Sequence, residues 1–427
     1  MNKKVLIITY YWPPSGGPGV QRWLKFVKYL PEFGIDPIVY CPENPSYPLV
    51  DENLLKEVSD EVTVIKQPIF EPYQLASIFS KKKTKTIASG LINTKKQSFI
   101  EGLLLYIRGN FFIPDARKFW VKPSVGFLKD YIQENEIATI ITTGPPHSLH
   151  LIGLQLKEKL NINWIADFRD PWTTIGYHDK MKLSVASQKK HKAQEKEVLQ
   201  KADKIIVTSP TTKTEFSVLT KQPISVITNG YDDVNNISVQ LDDKFTLAHI
   251  GSLLTGRNPE VLWESIAELI QENKAFNTSF ELKLLGAVSE GVLQSIYKCG
   301  LENHVNVLGY VSHEEAQIHQ RKSQVLLLIE IDSSETKCII PGKLFEYLQS
   351  HRPILGFGPK EADFKNIITE TNTGYSYGYN LSEKNAIKEQ IVTYFEGYQS
   401  KNLKANGIGI QQYHRKSLTN KLVEILP

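Results

Sequence analysis

The chain has 427 residues, 41% of them hydrophobic and 22% charged, with a formal net charge of +4 at neutral pH. That composition excludes a disordered chain, and the length exceeds one ordinary hydrophobic core, so two domains of similar size are expected. The charge is too small to call for a nucleic-acid partner, and three widely spaced cysteines, Cys41, Cys299 and Cys338, argue against a disulfide framework or a zinc site and for a reducing compartment.

Val5 to Thr9 is an apolar run too short for the core of a signal peptide, and no window approaches the length of a membrane-spanning helix. A cytoplasmic protein is expected, one that can still touch the inner face of a membrane. The same run reads as a buried parallel strand. A Pro- and Gly-rich loop follows, with Gly16 and Gly17, then a helix from Val20 to Leu30 and a strand from Ile35 to Cys41. This is the opening of a doubly wound fold, but the glycines lack the spacing of a dehydrogenase fingerprint, and no acid follows Ile38-Val39-Tyr40 as a clear ribose ligand. The glycine pair either lets backbone approach a ligand or simply makes a turn.

Residues from about 70 to 125 break the strand-helix rhythm. Lys81, Lys82, Lys83, Lys85, Lys95 and Lys96 alternate with Phe79, Ile87, Leu91, Ile92 and Phe99, a pattern that suits an anionic bilayer surface or a solvated helix pair. Asp115 and Arg117, close to Trp120, suit either a sugar-binding loop or a structural turn. The rhythm resumes with a strand from Thr139 to Thr143, a loop carrying His147, a helix from Leu149 to Leu160, and a strand from Trp164 to Ala166 that ends in Asp167-Phe168-Arg169-Asp170-Pro171-Trp172. Both polar clusters lie at strand C-terminal ends, where open α/β sheets hold their ligands. His147, Asp167 and Asp170 suit acid-base chemistry or the binding of acceptor hydroxyls, and Trp172 suits stacking on a sugar ring. Against this, Asp167 can pair with Arg169, and His147 can cap a helix.

Past a polar linker, a strand from Phe245 to Ile250 enters a small-residue loop with Gly251, Ser252 and Arg257, then a helix from Glu260 to Asn273. Arg257 suits phosphate oxygens. Further strands end at Gly286 and Gly309, and one from Gln324 to Ile329 runs into a stretch, Ile331 to Cys338, that reads as disordered. A helix opens at Pro341-Gly342-Lys343-Leu344-Phe345-Glu346-Tyr347. Its N-terminal N–H groups and Lys343 suit a diphosphate, and Glu346 a ribose. Equally, Leu344, Phe345, Tyr347 and Leu348 pack any amphipathic helix, with Lys343 and Glu346 on its solvated face.

In order and spacing, the Gly16-Gly17 loop, Asn229-Gly230-Tyr231-Asp232, Gly251 to Arg257, Gly286, Gly309 and Lys343 to Tyr347 resemble the family 4 glycosyltransferases of the GT-B fold over essentially the whole chain. The resemblance implies two Rossmann-like α/β domains facing across a cleft: residues 1–232 binding the acceptor, joined by a returning C-terminal helix over 413–427, and residues 245–405 binding a nucleotide sugar. It implies transfer, with retention of anomeric configuration, from a UDP- or GDP-sugar to a glycan or lipid-linked acceptor, without metal or other cofactor, in cell-envelope polysaccharide assembly. Arg257 takes the position of the family's phosphate-binding Lys, Glu346 that of its ribose-binding Glu, and His147 that of its first-domain His. Ser252 replaces a phosphate-binding Arg and Cys338 a Glu that contacts the donor sugar. The expected catalytic residues are therefore His147, Asp170, Arg257 and Lys343. Gly16, Gly17, Gly251, Ser252, Gly286, Pro341, Gly342, Leu344 and Glu346 would complete the donor site, and Asp115, Arg117, Asp167, Arg169 and Trp172 the acceptor site. Two other classes bind the same nucleotide: a GT-B-fold sugar-nucleotide epimerase or hydrolase, and a non-catalytic sugar-nucleotide-binding protein.

Overall fold

A computed structural model of the protein describes residues 2–72, 99–174, 176, 181–233 and 239–427. The basic cluster from Lys81 to Lys96 lies outside the described residues. The chain forms two units, one of Met1–Thr228 with Arg415–Pro427 and one of Asn229–His414.

The first unit is a seven-stranded sheet in the order β3-β2-β1-β4-β5-β6-β7. Its strands are β1 (Lys3–Ile8), β2 (Ile35–Pro42), β3 (Thr63–Gln67), β4 (Thr139–Gly144), β5 (Asn163–Phe168), β6 (Lys204–Val207) and β7 (Ile224–Val226), every pair parallel. Helices cover both faces, so strand residues of either parity are apolar. Leu6 and Ile8 enter the core with Trp120, Leu149 and Trp164, while Val5 and Ile7 enter the opposite core with Trp23 and Ile141. The helices are α1 (Pro18–Tyr29), α2 (Phe99–Phe111), α3 (Lys118–Glu134), α4 (Ser148–Lys159), α5 (Val185–Lys201) and α6 (Pro210–Ser217). Thus α2 and α3 occupy much of the stretch in which sequence periodicity lapsed, because Gly102 and Gly109 in α2 and Pro123 in α3 blur their pattern.

The second unit repeats the plan with six parallel strands in the order β10-β9-β8-β11-β12-β13. They are β8 (Phe245–Ile250), β9 (Phe280–Leu285), β10 (Val305–Gly309), β11 (Val325–Ile329), β12 (Ile354–Phe357) and β13 (Gly374–Tyr377). The helices are α7 (Glu260–Glu272), α8 (Lys274–Ser279), α9 (Glu290–Lys298), α10 (His313–Lys322), α11 (Lys343–Gln349), α12 (Asp363–Glu370) and α13 (Lys384–Gln399). The stretch from Ile331 to Cys338 is ordered, contrary to its polar composition. Thr336 Oγ1 donates to the Ser333 carbonyl at 2.9 Å, and the Lys337 carbonyl accepts from the Asp363 N–H at 2.9 Å.

A last helix, α14 (Arg415–Ile425), belongs to the first unit. Leu418 and Leu422 are buried in the core that also holds Val20, Trp23 and Leu24 of α1. Each such side chain contributes roughly 1.5–3 kcal/mol through burial.

Candidate active site

In each sheet the order reverses beside its first strand, between β1 and β4 and between β8 and β11. Crevices at such switch points, beyond the strand C-termini, are where doubly wound folds bind ligands.

In the second unit the switch point is built from two glycines. Gly251 and Gly286 have φ of +117° and +107°, and a Cβ on Gly286 would lie 2.7 Å from the Gly251 carbonyl oxygen. The loops after β8 and β9 therefore pack backbone to backbone, which only glycine allows. A Cβ on Gly251 would lie 2.8 Å from Lys343 Nζ, so the lysine crosses directly over this loop.

His249, fully buried in β8, holds that lysine. Its Nδ1 lies 3.0 Å from the Leu327 carbonyl, which can only accept, so Nδ1 carries the proton. Burial, and then the Lys343 charge, press its pKa well below the ordinary value, and the imidazole is neutral. Its Nε2 is left as an acceptor 3.4 Å from Lys343 Nζ. Burial followed by the Arg257 charge brings the Lys343 pKa down to about 8, with Glu330 and Glu346 opposing. Among the described residues Lys343 makes no ion pair, and His249 is its only hydrogen-bond partner. An ammonium has three donors, so two of them point to no protein acceptor.

Arg257 is anchored differently. Its Nη2 pairs with Glu330 Oε1 at 2.9 Å, and the same oxygen accepts from the Ile331 N–H at 2.8 Å. Glu346, half-buried on α11, accepts from Gln320 Nε2 at 2.7 Å. Ser252 is exposed, Gly342 opens onto free space and Pro341 is half-buried. Leu344, expected at the donor, instead turns into the core and is fully buried. The helix α11 has only 7 residues, so its dipole is a minor source of attraction for phosphate. Sequence reading passed over His249, Glu330 and Gln320. A histidine within an apolar strand and an acid directly after one were the available signals.

In the first unit the polar residues divide into structural and accessible ones. Asp115 caps α4: its carboxylate accepts from the Ser148 N–H at 2.9 Å and from Ser148 Oγ at 2.8 Å. His147 occupies the cap position but its ring makes no cap hydrogen bond. Arg117 pairs with buried Glu71 at 3.0 Å, donates to Tyr10 Oη at 3.1 Å and lies over the Tyr10 ring. Asp167 is fully buried and pairs with Arg22 rather than Arg169, while also accepting from Trp23 Nε1 and Thr143 Oγ1, both at 2.8 Å. Asp167 has no face open to an acceptor, whereas Asp115 and Arg117 are half-buried, and Asp115 also lines a pocket beyond the end of β4.

Arg169 donates to the Pro145 carbonyl and lies over the Tyr11 ring and against Gly19. Gly16 N–H donates to the Leu49 carbonyl at 2.9 Å, and Gly17 takes a φ of +93° at the start of α1. Asp170 is half-buried with no hydrogen bond or ion pair among the described residues. Burial raises its pKa and Arg169 opposes the rise. Trp172 is buried, stacked on His147 with centroids 4.9 Å apart, and its Nε1–H donates to His191 Nδ1 at 3.2 Å. Trp172 and His147, with Tyr11, Phe112, Asp115 and Pro145, line this pocket of about 100 Å³ beyond the end of β4. Trp172 thus presents to the pocket a wall already stacked on one face.

No protein-family model matches the sequence, and no curated protein does. Solved structures do. The chain is similar to Anabaena HepE, determined in complex with UDP, at a TM-score of 0.63 and 13% identity, covering 99% of this chain and 98% of that one. The fold is GT-B. Sucrose-phosphate synthase from Thermosynechococcus elongatus gives a TM-score of 0.58 at 13% identity over 99% and 98% of the chains. A putative UDP-N-acetylglucosamine 2-epimerase from Listeria monocytogenes gives 0.54 at 12% identity over 99% and 95%. Two Rossmann-like α/β units of GT-B type are therefore shown, and the same architecture carries more than one sugar-nucleotide chemistry.

Proposed function

We propose that the protein is a glycosyltransferase that moves a sugar from UDP- or GDP-sugar to a glycan or lipid-linked acceptor in envelope polysaccharide assembly, resembling family 4 and retaining anomeric configuration. The observation that carries the reading is the Lys343 ammonium, held at a switch point with no carboxylate on it. A half-buried cation left in that state is complementary to an incoming anion, and a nucleotide diphosphate supplies one. Lys343 and Arg257 would offset charge developing on the departing diphosphate, with no metal needed for that task. Glu346 would take the ribose hydroxyls, and Asp170 with His147 would act beside the acceptor pocket.

HepE, with UDP bound, and TarM, determined with UDP and alpha-GlcNAc-glycerol, support a nucleotide-sugar donor and a glycan-type acceptor by analogy of fold. Attachment at the inner face of an anionic membrane is supported by exposed Leu103, Tyr106 and Phe111 on α2, next in sequence to the Lys-rich stretch. Calorimetric titration with UDP and GDP, followed by transfer assays from the matching sugar nucleotides, tests the reading. Binding of neither nucleotide sinks it. The epimerase or hydrolase alternative is favoured instead by turnover of donor with no acceptor present.

A further inference from the structure

The donor reading leaves one fully buried residue without a role. His249 sits in the middle of the second sheet with its Nδ1–H given to the Leu327 carbonyl at 3.0 Å and its Nε2 at 3.4 Å from Lys343 Nζ. An apolar residue would fill that core position without the cost of burying an imidazole. We propose that His249 is the positioning residue for the donor phosphates, fixing the Lys343 ammonium over Gly251 while leaving its charge uncommitted.

The choice of a neutral acceptor matters. Glu330 and Glu346 are the acids that bear on Lys343, yet Glu330 pairs with Arg257 at 2.9 Å and Glu346 accepts from Gln320 at 2.7 Å. Had Lys343 paired with either, a diphosphate would have to compete with a carboxylate for it. The imidazole orients the ammonium through one hydrogen bond and carries no charge to be displaced. The Leu327 carbonyl behind the ring takes the Nδ1 proton, which leaves Nε2 facing the lysine as an acceptor, with the Ser252 backbone also against the ring.

The proposal rests on the donor reading, and a double-mutant cycle separates the two. UDP and GDP are titrated calorimetrically into the wild type, His249→Phe, His249→Gln, Lys343→Met and the double variant H249F/K343M, with thermal unfolding to establish that each is folded. The His249→Phe change is expected to weaken nucleotide binding about tenfold, the loss of one charge-assisted hydrogen bond's worth of alignment. His249→Gln, which keeps an acceptor, should restore most of it. In the Lys343→Met background the His249→Phe change should cost nothing further, since the two residues act as one. Should His249→Phe fail to fold, the same comparison is made with His249→Gln and His249→Asn, and equal affinity in a Gln and an Asn variant, whose acceptors reach differently, overturns the proposal. Wild-type affinity in His249→Phe, or a full additional loss in the double variant, also overturns the role of His249 alone. A wild type that binds neither nucleotide overturns the donor reading and this proposal with it.

Discussion

Arg22 and Asp167 meet at 2.9 Å with both side chains almost wholly shielded from solvent, an ion pair that joins α1 to the C-terminal end of β5. Burial alone would raise the Asp167 pKa, but Arg22 and the hydrogen bonds from Arg22, Trp23 and Thr143 hold it below the ordinary value. Asp167→Asn should therefore destabilise the first unit by about 3–5 kcal/mol, because it leaves the Arg22 charge buried and unpaired. Urea unfolding followed through tryptophan fluorescence measures the loss, and a variant as stable as the wild type contradicts it. Since the folded pKa lies below the unfolded one, the pair's stabilisation is present at neutral pH and lost as pH falls through the folded value. The variant should accordingly lose less stability in acid than the wild type.

Nucleotide affinity should carry a basic limb. The diphosphate favours charged Lys343, whose pKa is about 8 in the free protein, so binding is strongest below that value and weakens above it. The slope approaches about tenfold per pH unit when one proton is taken up. Titrations across this range in buffers of different ionisation enthalpy report the uptake directly. Affinity that stays flat through about pH 9 in the wild type, a full unit above that pKa, would argue that Lys343 does not touch the phosphates.

Arg257→Ala and Glu346→Ala should each weaken UDP or GDP binding by about 1.5–3 kcal/mol, the cost of a hydrogen bond to a charged group. Glu346→Ala should change the melting temperature little, since its side chain is half-buried on α11, whereas Arg257→Ala should lower it, because the Glu330 carboxylate, 2% exposed, loses its ion-pair partner. Unchanged affinity in both variants removes the donor site from this position.

Deleting the chain from Tyr413 onward should destabilise the first unit, although the segment follows the second in sequence. Leu418 and Leu422 are 2% and 0% exposed in the core beside α1, and Leu422→Ala alone should cost about 2–5 kcal/mol. Limited proteolysis checks the direction: faster cutting confined to Asn229–Gln412 in the truncated protein would contradict the placement.

Wild-type protein should float with anionic liposomes at low salt and release at high salt. Each Lys engaged at the surface contributes about 1 kcal/mol, so replacing Lys81, Lys82, Lys83, Lys85, Lys95 and Lys96 by Gln should abolish flotation. Persistence of binding in that variant would assign attachment to some other surface.

Local pattern was enough for the two parallel sheets. Continuous apolar runs such as Phe245 to Ile250, each closed by a small-residue loop and followed by a helix, report doubly wound folding because strand burial on both faces is written residue by residue. It also located Lys343 and Arg257 at strand-to-helix loops, since position along a strand decides which residues reach the ligand edge. It did not reveal which polar groups were already satisfied. Arg22 finds Asp167 across 145 positions, and Lys343 finds His249 across 94. Asp167 and Asp170 stand three residues apart with similar neighbours in sequence, yet one is consumed by Arg22 and the other has no hydrogen-bond partner among the described residues. Only the packing of α1 against β5 separates them, because hydrogen-bond satisfaction depends on what the fold brings within about 3 Å, and that is a property of the tertiary structure alone.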